Sequence, residues 1–171
     1  MMTFKILGVI LVIASCGSVG FRIAANHRAE EKALRNLIAI LDFMECELRF
    51  RLTPLPTLFQ RVGSEFTCIP GSFFTALATD MDKQISPDLE VCIANALRTQ
   101  KALPEITRKA IEIFGKTAGR FDLEGQIKGL HAARNECKRN LEILGANRET
   151  RLRSYQTLGL CAGASLAILL I

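Results

Sequence analysis

The run Gly115-Lys116-Thr117 is this sequence's nearest approach to nucleotide chemistry, because a phosphate-binding loop ends in Gly-Lys-Thr or Gly-Lys-Ser. In such a loop the lysine and successive backbone N–H groups hold the phosphate oxygens. The full pattern also needs a glycine where Ala110 stands and a strand leading into it, whereas the residues before Gly115 carry apolar side chains at helical spacing. The run is therefore read as part of a helix. His27 has Glu30 and Glu31 one helical turn on, and His131 has Glu136 beyond it, but neither forms HExxH or a Glu-x-x-His pair, and both are read as surface histidines. The cysteines, Cys16, Cys46, Cys68, Cys92, Cys137 and Cys161, are too far apart for a CxxC pair and have no histidine at zinc-ligand spacing. They read as reduced structural thiols, which behave as small buried hydrophobes. No GxSxG or other nucleophile motif occurs, and with 6% aromatics and no Trp the chain lacks stacking platforms for nucleic acid. No catalytic residue, metal site or cofactor is expected, and no nucleic-acid partner.

Chemistry of another kind follows from how charge is distributed. The chain is 49% hydrophobic, high for a soluble domain, yet 23% of its 171 residues are charged, so the two populations must be segregated along the sequence. Residues 6–21, ILGVILVIASCGSVGF, carry no charge, and neither do residues 154–171, SYQTLGLCAGASLAILLI. A membrane span needs about 20 apolar residues. Both segments approach that length, and Lys5, Arg22 and Arg153 can snorkel to the headgroups. The expected organisation is a transmembrane helix in 1–21, a helical domain in 22–153 and a second transmembrane helix in 154–171. Arg22, Arg28, Lys32 and Arg35 follow the first span, and Lys138, Arg139, Arg148, Arg151 and Arg153 precede the second; only Lys5 lies beyond the outer ends. By the positive-inside rule the central domain is then cytoplasmic and the protein a two-pass cell-membrane hairpin.

Within this frame Arg22, Arg148, Arg151 and Arg153 are headgroup anchors, consistent with the net charge of +5. Gly159, Gly163 and Ala167, four apart, form a small-residue face on which another helix can pack closely; Ala14 and Ser18 offer a partner surface in the first span. The alternative reading starts from Ile13-Ala14-Ser15-Cys16, which fits a lipoprotein cleavage box and implies a lipid-anchored extracytoplasmic binding protein. It would expose the central cysteines to oxidation, and Lys5 alone is a thin basic region for a signal.

The elements between the ends read as helices throughout. Leu34, Leu37, Ile38, Leu41, Met44 and Leu48 recur at steps of three and four, predicting a helix that stops near Thr53-Pro54-Leu55-Pro56. A short helix with Leu58, Phe59 and Val62 follows, ending near Gly63. Ile69-Pro70-Gly71-Ser72 is read as punctuation, with Ser72 capping a helix over 73–85, and Ser86-Pro87 as N-cap and first residue of the next, which carries Leu89, Ile93, Ala96 and Leu97. A helix from Leu103-Pro104-Glu105 presents Ile106, Ala110, Ile113 and Phe114 up to about Gly119. Gly119-Arg120-Phe121-Asp122 is a turn with a left-handed glycine and an aspartate cap, a structural feature or a partner-facing one. From Leu123 the series Ile127, Leu130, Ala133 or Arg134, Cys137, Leu141 and Leu144 runs on without proline, so one long helix can enter the membrane. No segment alternates with period two. The fold class is all-α: a cytoplasmic helical bundle between two transmembrane helices, its first and last helices continuous with the spans.

This order of features resembles the stage III sporulation protein AB family of endospore-forming bacteria across nearly the whole chain. The resemblance rests on Lys5-Ile6-Leu7-Gly8, the Thr53-Pro54-Leu55 break, residues 114–122 (FGKTAGRFD) with Gln126, and Leu158-Gly159 in the terminal apolar helix. The sequence departs from the family pattern in lacking a tryptophan around Ile93 and in having Ala118 for a larger apolar residue. The resemblance implies a component of the channel or secretion-like apparatus between mother cell and forespore, on the mother-cell side of the outer forespore membrane. It also implies a helical domain similar to the platform proteins of type II secretion and type IV pili. The implied role is a non-enzymatic membrane platform that engages a sporulation ATPase and other channel proteins, with room for a homo-oligomer. Gly119, Arg120, Phe121, Asp122 and Gln126 are its candidate partner-facing residues.

Overall fold

The structure, a computed structural model, describes the backbone of residues 2–82, 88–118 and 123–170, and the side chains of residues 25–82, 88–118 and 123–146. Among the described residues the chain forms six helices and no strand: α1 Met2–Arg51, α2 Leu55–Glu65, α3 Ile69–Asp82, α4 Leu89–Thr99, α5 Glu105–Ala118 and α6 Leu123–Leu170. The all-α reading holds, and the first and last helices run without a break through the charge-free segments. Among the described residues no helix is long and apolar enough to cross a membrane. The expected spans in 6–21 and 154–171, the lipobox-like Ile13-Ala14-Ser15-Cys16, the anchors Arg22, Arg148, Arg151 and Arg153, and the seam of Gly159, Gly163 and Ala167 lie outside the residues whose side chains are described.

The chain divides into two units, one made of Met1–Ala29 with Glu142–Ile171, the other of Glu30–Leu141. In the second unit α1 ends at Arg51 because Pro54 keeps Thr53 out of the helical region. Pro54 then serves as the N-cap of α2, its carbonyl accepting from the Leu58 N–H at 2.9 Å, while Pro56 occupies an early position where no donor is needed. Leu58, Phe59 and Val62 are fully buried, as their spacing predicts.

The core of the second unit is aromatic. Phe59 of α2 stacks on Phe74 of α3 with centroids 5.5 Å apart and meets Phe114 of α5 edge-on at 6.3 Å; Phe73 meets Phe74 edge-on at 5.3 Å. These four rings, with Leu34, Leu37, Ile40, Leu41 and Met44 of α1, have essentially no exposed surface. Quadrupole-compatible geometry adds about 0.5–1.5 kcal/mol per aromatic pair beyond burial.

Four local readings are corrected. Ile69 and Pro70 lie inside the first turn of α3, where proline costs nothing because its missing N–H would be unpaired anyway; the Ser72 hydroxyl donates to the Ile69 carbonyl at 2.8 Å and is not a cap. Asp88 caps α4, its carboxylate accepting from the Glu90 N–H at 3.1 Å, while Ser86 and Pro87 lie outside the described residues. On α1 it is Ile40 rather than Ile38 that is fully buried. On α5 the buried stripe is Thr107, Ala110, Ile111, Phe114, Gly115 and Ala118, with Ile106 and Ile113 only half-buried. Gly115 lies within that buried stripe. A Cβ there would stand 2.9 Å from Ile93 Cδ1, so α5 turns its glycine toward α4 and lets Ile93 fill the space.

Candidate functional site

Two polar constructions stand out in the second unit. At the end of α1, Glu47 has only 7% of its side chain exposed. A carboxylate taken that far from water must be paired. Arg61 of α2 pairs with its Oε2, the Thr53 hydroxyl donates to the same oxygen at 3.2 Å, and Arg51 reaches Oε1 at 3.3 Å. The Arg61 guanidinium also lies 6.0 Å from the centre of the Phe43 ring, which meets Phe66 edge-on at 5.6 Å. Glu47 thus clamps the Thr53-Pro54 corner to both helices that meet there.

The second construction joins α1 to α6. Arg134 Nη1 donates to Asp42 Oδ1 at 2.7 Å and stands 3.5 Å from Glu45 Oε2. Glu45 Oε1 accepts from Arg49 Nε at 2.8 Å. His131 Nε2 comes within 2.9 Å of the same oxygen. Burial works against the Glu45 carboxylate, but His131 and Arg49 together outweigh it and hold its pKa below the ordinary value. For Arg134 the hydrogen bond to Asp42 outweighs the opposing burial and raises the pKa. His131 was expected at the surface near Glu136. Glu136 instead pairs with Arg139 at 2.8 Å and Asn140 at 3.0 Å, while half-buried His131 faces Glu45 across the helix interface.

Between these constructions the chain leaves something exposed. Phe50 is 81% exposed and Leu52 67%, and Leu52 adopts a φ of 50°, the left-handed region that favours glycine. Half-exposed Arg49 and largely exposed Arg51 alternate with them. By spacing only Leu52, four residues after Leu48, extends the apolar series of α1; Phe50, two residues from Leu48, falls on the opposite, solvent side of the helix.

The sequence candidates are placed as follows. Gly119, Arg120, Phe121 and Asp122 lie outside the described residues, and Gln126 is half-buried early in α6. Gly115-Lys116-Thr117 is the interior of α5, as its helical surroundings predict: Gly115 packs on Ile93, and the Thr117 hydroxyl is taken by the carbonyls of Ile113 and Phe114, both at 3.0 Å. Thr117 also occupies the space that a side chain at Gly129 of α6 would need. Among the described cysteines Cys92 and Cys137 are buried, Cys68 is half-buried and Cys46 is exposed, which corrects the reading of Cys46 as a buried hydrophobe. Burial, aided by the charge of Glu136, pushes the Cys137 thiol up to about 12, so it stays protonated and inert.

Comparison with known proteins gives one consistent result. The family model for stage III sporulation protein AB matches residues 5–171. The stage III sporulation protein AB of Bacillus subtilis (strain 168) is 25% identical over 170 residues, covering 98% of this chain and 99% of that protein. A solved structure of stage III sporulation protein AB (SpoIIIAB) superposes with a TM-score of 0.63 at 21% identity, covering 71% of this chain and 98% of that one; at that identity the likeness is one of fold.

Proposed function

The chain belongs to the stage III sporulation protein AB family, a sporulation family, and from that premise we propose that it is a non-enzymatic membrane platform in the mother cell to forespore channel. In this reading the charge-free ends hold it in the membrane as a two-pass protein, and the helical unit engages a cytoplasmic sporulation ATPase and the other channel proteins. The observation that carries the reading is the continuity of α1 and α6, each an unbroken helix that includes both a core-forming stretch of Glu30–Leu141 and one charge-free end of the chain. A motor coupler needs a folded surface and membrane anchors more than it needs a nucleotide site. The Gly-Lys-Thr run spent inside α5 and the phenylalanine-filled core support a scaffold.

The test combines topology with association. In intact membranes a membrane-impermeant maleimide should leave Cys46 and Cys68 unmodified until the membrane is permeabilised, and the full-length chain in nanodiscs should bind the purified sporulation ATPase by calorimetry. Labelling of Cys46 without permeabilisation would favour the lipid-anchored extracytoplasmic alternative built on Ile13-Ala14-Ser15-Cys16. Cys92 and Cys137 should react only after unfolding, which provides the control.

A further inference from the structure

We draw no further inference here: the strongest candidate, the outward face of α1 on which Ala39, Cys46 and Phe50 stand exposed opposite the buried Leu41, Met44 and Leu48, carries nothing because nothing in the structure shows what covers it.

Discussion

The aromatic core and the α1–α6 seam hold the same unit together by opposite means. Around Phe59, Phe74 and Phe114 the helices are joined by burial, which is non-directional and tolerant of small shifts. Along Asp42, Glu45, His131 and Arg134 they are joined by polar side chains that remain partly in water, where each pair contributes little but sets which turn of α6 faces which turn of α1. The first region makes the unit fold; the second makes the long helices register.

The comparison breaks most sharply if the core is not where stability resides. Phe114→Ala should cost about 3–5 kcal/mol, read by chemical denaturation of the full chain in detergent with helical content as signal. Phe59→Ala should cost a similar amount, since the same ring contacts α3 and α5. A loss below about 1 kcal/mol from both would move the weight to the seam.

Next in size is the α4–α5 contact. Gly115→Val should cost about 1–3 kcal/mol by overpacking against Ile93. Gly115→Ala sharpens the point, because the helix propensity gained, about 1 kcal/mol, competes with the displacement of Ile93. Combined with Ile93→Val, which removes the atom that crowds the new methyl, Gly115→Ala should be less harmful than the sum of the two single changes. Strict additivity would mean that the close approach is not a constraint.

At the seam the effects are smaller. Arg134→Ala should cost about 1 kcal/mol and should do so mainly at low salt, because Asp42 is half-exposed. The pH dependence follows from Glu45. Its native pKa lies below the ordinary carboxylate value, so its stabilising contribution is fully present above that value and is lost as pH falls through the native one. The stability difference between the unaltered chain and Glu45→Gln should therefore shrink on acidification from neutrality through the carboxylate range, and a constant difference would detach Glu45 from the charge network. The smallest change has the opposite sign: Leu52→Gly should leave stability unchanged or raise it by up to about 1 kcal/mol, by releasing the left-handed strain.

Sequence alone determined the helical class, the breaks near Thr53-Pro54 and Leu103-Pro104, the burial of Leu58, Phe59, Val62 and Phe114, and the charge-free ends. Each of these rests on local chemistry: the 3.6-residue period, the donor proline lacks, and the absence of charge over a span-length segment. Family membership was legible as well, through residues 114–122 and their neighbours, although the turn at Gly119-Arg120-Phe121-Asp122 lies outside the described residues. The tertiary structure decided what depends on partners distant in sequence. The glycine at 115 matters only because Ile93 of α4 packs against it, a contact no local pattern shows. His131 turns to Glu45 rather than to nearby Glu136 because packing brings α1 alongside α6. Leu52 continues the apolar series by spacing, yet α1 has ended at Arg51 and the side chain stands 67% exposed, because burial is a property of assembled helices and not of any one of them.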